Sequence, residues 1–210
     1  MPSSLDAMAV VRFHDRELAQ PGWPRPPRAS ELPRGAAWPA IDANHRYNCL
    51  LWQEEDKARR TDVPAAEIAA SKRLIDQYNQ QRNDAVEAID EALLAELADV
   101  EPGAAARLSS ETAGAMIDRL SILALKVHHM HQQTWRADAG LDHVEACRAR
   151  LQRLAAQRDD LAACLDRLLA EAASGRAYFK VYRQFKMYND PALNPYLYGR
   201  AAPAGERAQQ

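Results

Sequence analysis

The chain has 210 residues, 47% of them hydrophobic and 27% charged, with a formal net charge of −2. That length suits one well-buried domain, the near-neutral balance excludes a general nucleic-acid binder, and no run approaches the ~20 apolar residues of a membrane span. Three cysteines, Cys49, Cys147 and Cys164, form no C-x-x-C pair and indicate neither a disulfide framework nor a zinc ribbon.

In chain order, 4–18 reads as a short amphipathic helix with Ser3 or Ser4 as its cap. Pro21, Pro24, Pro26, Pro27, Pro33 and Pro39 exclude a helix over 20–39 and favour an extended arm, pinned by Trp23 and Trp38. Long helices are expected over 41–60, over 62–98 with Asp62 as cap and Pro64 early, and over 110–137 with Ser110 or Thr112 as cap. A fourth is expected over 142–175, opened by a capping box of Asp142 and Glu145. The third is apolar on two sides and should be central. From 176 to 198 lie seven of the chain's 14 aromatic residues. Its YNDPALNPYLY tail, with Pro191 and Pro195, is not expected to be helical, and its rings should pack across the bundle. The architecture expected is all-α: an antiparallel bundle of four long helices. A short helix and Pro-rich arm (1–39) precede it, the single domain (40–198) includes a non-helical aromatic segment, and 199–210 should be disordered.

The stretch that departs from an ordinary bundle is Asn44 to Arg60. Helical spacing puts Ile41, Asn44, His45, Asn48, Trp52, Glu55 and Arg59 on one side, with Arg46, Leu50, Gln53, Glu54 and Lys57 opposite. The inward face therefore offers amides, an imidazole, a carboxylate and a guanidinium, groups that need partners when buried. The second long helix repeats the intrusion with Asn79 and Arg82, and the third holds Asp118 and Lys126.

Four motifs then suggest a family: N-H-x-x-N-x-x-L-W-x-x-E-D-x-A-R (Asn44 to Arg59), R-N-x-x-V-E-x-x-D (Arg82 to Asp90), S-E-T-x-G-x-M-I-D-R-L-S-I-L-x-L-K (Ser110 to Lys126) and F-K-x-Y-N-D-P-x-L-N (Phe185 to Asn194). In this order they resemble the bacterial domain of unknown function 4254, over about Pro39 to Tyr198. The resemblance implies a cytoplasmic helical protein of the kind encoded beside enzymes of lipopolysaccharide and surface-glycan assembly, with no assigned activity. The N-terminus, without the basic-then-apolar pattern of a secretory signal, agrees with that address.

The same residues bound the chemistry. His128 and His131 are three apart and no Glu-x-x-His occurs, so no transition-metal site is expected. Glu54, Glu55 and Glu87-x-x-Asp90 are half of the carboxylate pattern of all-helical nucleotide pyrophosphatases, with Ala58 where a third carboxylate belongs. No cofactor is expected beyond a Mg²⁺ whose shell substrate phosphates complete, and Glu54, Glu87 and Glu91 are favoured as a solvated face. Arg59, Arg82, Arg119 and Lys126 suit a clamp for a phosphate or carboxylate, against a closed network in which Arg59, Arg82, Glu55, Asp90 and Asp118 neutralise one another. Cys49 has only His45 as a base, four residues earlier. The candidate site is Asn44, His45, Asn48, Trp52, Glu55, Arg59, Asn79, Arg82, Asp118 and Lys126. The function expected is a binding or accessory module for a glycosyltransferase or its phosphorylated sugar; the alternative is a small enzyme acting on such a phosphate.

Overall fold

The computed structural model describes residues 5–25, 32–185, 187 and 190–198. The expected Ser3/Ser4 cap, Pro26, Pro27, Tyr188 and the tail over 199–210 lie outside the described residues. The protein is mainly helical, with six helices and one two-stranded pairing among the described residues. They are α1 (Ala7–Leu18), α2 (Trp38–Ala58), α3 (Ala65–Glu96), β1 (Arg107–Leu108), α4 (Ala113–Gln133), α5 (Leu141–Ala173), β2 (Ala177–Tyr178) and α6 (Pro195–Tyr198).

The helix starts follow local chemistry, though not always through the residues expected. Asp6 caps α1, accepting from the Ala9 N–H at 2.7 Å. Thr112 caps α4, accepting from Ala115 N–H at 3.1 Å, while Asp90 reaches across from α3 to take the next free donor, Gly114 N–H, at 2.7 Å. That cross-helix cap requires close approach: a Cβ on Gly114 would stand 2.5 Å from the Val86 carbonyl oxygen. Two expected caps do not form. Pro64, extended, precedes α3 in place of Asp62, whose carboxylate is taken by Arg60, and Gly140 precedes α5 with no side-chain bond in place of a capping box. α2 begins at Trp38, three residues before its expected start, because Pro39 sits in the first turn, where its missing N–H costs nothing.

α4 is the central helix, in contact with α1, α2, α3 and α5, while α2 lies on α3. The core is built from Val10 and Phe13 of α1, Ile41 of α2, Ile89 of α3, Ile117 and Leu120 of α4, and Leu165 of α5, each at most 2% exposed. β1 and β2 pair in parallel, Arg107 with Ala177 and Leu108 with Tyr178. α4 and α5 form the crossover that parallel strands need, so the pairing ties the entrance of α4 to the exit of α5.

The C-terminal segment corrects two expectations. Pro195–Tyr198 is a four-residue helix, opened by Asn194, which accepts from Tyr196 N–H at 3.0 Å, with Pro195 in the first position that tolerates it. Nor do the rings cover the bundle: Phe179 is buried, but Phe185 and Tyr196 are 86% and 85% exposed. The segment is held by charge instead, Arg183 pairing with Glu87 (2.8 Å) and Glu91 (2.5 Å) of α3.

Candidate functional site

The polar face of α2 divides along its length. Its first half is sealed. Asn44 and His45 are fully buried, and Asn44 Nδ2 donates to Asp118 Oδ1 at 2.8 Å. Asn48 Nδ2 donates to the same oxygen at 2.9 Å and to Ser121 Oγ at 3.0 Å, and Ser121 Oγ bonds His45 Nδ1 at 2.8 Å. One carboxylate and one hydroxyl on α4, a turn apart, thus gather three side chains of α2. Around His45 the packing is aromatic: His14 of α1 stacks on it at 4.3 Å between centroids and Trp23 at 5.4 Å. Neither His14 nitrogen has a hydrogen bond among the described residues, and burial holds the pKa of His14 well below its ordinary value and that of His45 down at about 3. Asp42, 2% exposed, is pushed up to about 6 by burial, against the opposing charge of Arg46 at 3.8 Å.

The second half opens. Asn48, Trp52 and Glu55 of α2, Arg59 just after its end, Asn79 and Arg82 of α3, and Ile122 and Leu125 of α4 line a cleft of about 400 Å³. Trp52 forms one wall, its indole lying parallel to the His129 ring at 4.6 Å. Arg82 approaches Asp118 at 3.9 Å and donates to Asn83 at 3.1 Å, while its buried Nε–H has no hydrogen-bond partner among the described residues. Arg59, exposed at the mouth, pairs with Glu55 at 3.2 Å and Asp56 at 3.8 Å.

Of the ten residues proposed from sequence, six line the cleft: Asn48, Trp52, Glu55, Arg59, Asn79 and Arg82. Asn44, His45 and Asp118 form the support beneath it, and Lys126 lies outside, exposed in the next groove. The closed-network alternative does not form as drawn, because Arg59 and Glu55 are on the surface and Asp90 is committed to the α4 cap. The solvated-face reading fails for Glu54, which is 7% exposed and paired with Lys57 at 2.7 Å, and for Glu87, taken by Arg183. Cys49 is no nucleophile in waiting: burial pushes its thiol up to about 12, and the Trp23 indole donates to its sulfur at 3.0 Å. Sequence reasoning missed Ser121, legible as one turn beyond Asp118, and His14, which carries no local signal. Among the described residues no three His, Cys, Asp or Glu side chains converge as a metal site would require, and no helix is long and apolar enough to cross a membrane.

No curated protein and no solved structure matches the chain. A protein family does, over residues 38–181, from the first residue of α2 to just beyond β2; the fourth motif, at 185–194, falls outside the match. That span covers α2 to α5, the helices that build the cleft and its support, and by it the chain belongs to the DUF4254 family, described as proteins of unknown function.

Proposed function

We propose that this protein is a binding module for a small polyhydroxylated ligand of the sugar or sugar-phosphate class. The carrying observation is the open cleft, in which two amides, two carboxylates, two guanidiniums and an indole face one volume of about 400 Å³ over a hydrogen-bonded floor. Sugar hydroxyls donate and accept at once, which suits paired Asn, Glu and Arg groups, and the apolar face of a sugar ring suits an indole wall. The cleft volume falls within the range of small-ligand sites. A cytoplasmic role in bacterial surface-glycan assembly, in company with a glycosyltransferase, is part of the proposal and draws its support from the family resemblance of the motifs. The same proposal takes the four long helices as an antiparallel bundle, supported by the short connections from Ala58 to Ala65 and from Gln133 to Leu141.

Thermal shift and calorimetry against nucleotide sugars and sugar phosphates, with and without Mg²⁺, test this reading. A ligand at ~100 times its Kd adds about 2.7 kcal/mol, and Arg82→Met should abolish the effect while leaving the fold intact. Silence across the whole panel removes the reading. Glu55 at the mouth supports the enzyme alternative; turnover of a panel member, lost in Glu55→Gln with binding retained, would establish it.

A further inference from the structure

Three of the four cations that sequence offered for an anion clamp already have carboxylate partners. Arg59 has Glu55 and Asp56, Arg82 has Asp118, and Arg119 has Glu111. Lys126 alone has none among the described residues. Beside it, two facing helices carry the same spacing: Lys126, His129 and Met130 on α4, and Arg150, Arg153 and Leu154 on α5, each at i, i+3 and i+4. Packed helix pairs ordinarily fill such positions with apolar side chains. Here only Met130 and Leu154 are apolar, and the helices leave a pocket of about 470 Å³ between them.

The charge in this pocket is one-sided. No carboxylate lines it, and neither arginine has an ion pair among the described residues; Arg153 Nε donates only to its own helix, at Ala149 O (3.4 Å). The three cations are exposed at the rim of a mostly apolar groove, and an anion drawn to that rim meets no acid in it. Arginine forks match phosphate oxygens in bidentate geometry, and Lys126 adds a point charge. Trp52 belongs to both this pocket and the polar cleft, so the two volumes meet at its ring.

We infer that the α4–α5 pocket is a phosphate site built by Lys126, Arg150 and Arg153, and that across Trp52 it joins the polar cleft in one bipartite site for a phosphorylated sugar. The phosphate sits on α5 and the end of α4, away from Arg59 and Arg82, and the hydroxylated ring lies on the cleft side of the indole. The second half of this inference rests on the reading under Proposed function; the phosphate site does not.

Calorimetry on the full chain separates them, with inorganic pyrophosphate and a hexose 1-phosphate as probes and Arg150→Gln/Arg153→Gln and Arg82→Met as variants. Both arginines of the double variant are exposed, so its melting curve should match that of the parent. Pyrophosphate binding should weaken about tenfold or more in the double variant, weaken with added salt, and be unchanged in Arg82→Met. Hexose 1-phosphate binding should weaken in both variants. No pyrophosphate binding at millimolar concentration, or equal binding by parent and double variant, overturns the phosphate site. If hexose 1-phosphate still depends on Arg82 in that event, the sugar reading survives alone. Pyrophosphate binding lost in the double variant, with hexose 1-phosphate bound no more tightly and indifferent to Arg82→Met, keeps the phosphate site and overturns its union with the cleft.

Discussion

The buried histidine pair gives the sharpest test of the sealed half of α2. His45 is fully buried, and burial lowers its pKa from an ordinary 6.5 to about 3 in the folded chain. The folded state therefore refuses a proton that the unfolded state accepts. Stability is full above pH 6.5 and is lost as the pH falls toward 3, and the loss between pH 7 and pH 5 is about 2 kcal/mol. His14 acts in the same direction. Asp42 and Asp90 act in the other: burial raises each to about 6, so their contribution is present at low pH and is lost as the pH rises through 6. The parent's own pH profile is consequently compressed, and the informative quantity is a difference. His45→Gln removes one of the two histidine contributions and leaves both aspartates. Urea melts of parent and variant at pH 7 and pH 5 should show their stability gap shrinking by about 2 kcal/mol toward the acid side. A gap that stays constant from pH 7 to pH 5 would refute the claim that His45 is held neutral by burial.

Three further outcomes follow from the packing. Gly114→Ala should destabilise by about 2–3 kcal/mol in a urea melt, since its Cβ would meet the Val86 carbonyl oxygen and the Asp90 carboxylate, and backbone cannot yield as a flexible side chain does. Asn48→Leu should cost about 1–3 kcal/mol, because Asp118 loses one of its two amide donors while Ser121 loses its own; a neutral result would show that the floor beneath the cleft is not held by this residue. A maleimide at pH 8 should modify exposed Cys164 rapidly and spare buried Cys49, whose thiol is pushed up to about 12, leaving one fast adduct by intact mass.

What could be read in the sequence was the part governed by helical period. Ile41, Asn44, His45 and Asn48 share a buried side of α2 because the 3.6-residue repeat places them there, and Asn79 and Arg82 meet them because α3 packs along α2. Period alone fails at the edges of the stripe. Glu54 was assigned to water, yet it is buried, because α2 is covered on more than one side. It also fails where the partner comes from afar: Gly114 N–H is capped by Asp90 and Glu87 is taken by Arg183, neither recoverable from neighbours in the chain. The aromatic tail misled for a third reason. Seven rings suggested burial, but Phe185 and Tyr196 sit in a segment fastened by an arginine, where apolar surface is not the anchor.

The two halves of α2 differ because α1 covers only one of them. The family match begins at Trp38, so the polar face from Asp42 to Arg59 lies wholly inside it, whereas α1, at Ala7–Leu18, lies outside. α1 docks on α4 and α5, with Val10 and Phe13 in the shared core, Phe13 against Trp38 of α2 and Arg158 of α5 pairing to Asp15 at 2.9 Å, and His14 lies on His45. The ring nitrogens of His14, without a hydrogen-bond partner among the described residues, are a cost that a leucine at that position would avoid. On the other side of Asn48 the inward polar face has no cover from α1, and its groups turn to a cleft that α3 and α4 keep open. Asn48 stands at the division, bonded inward to Asp118 and Ser121 and lining the cleft on its other side. Any ligand that orders the cleft must therefore act on the floor that His45 shares through Ser121. Binding in the open half should in consequence slow exchange of the buried α2 amides around His45, a coupling that does not arise if the two halves are independent.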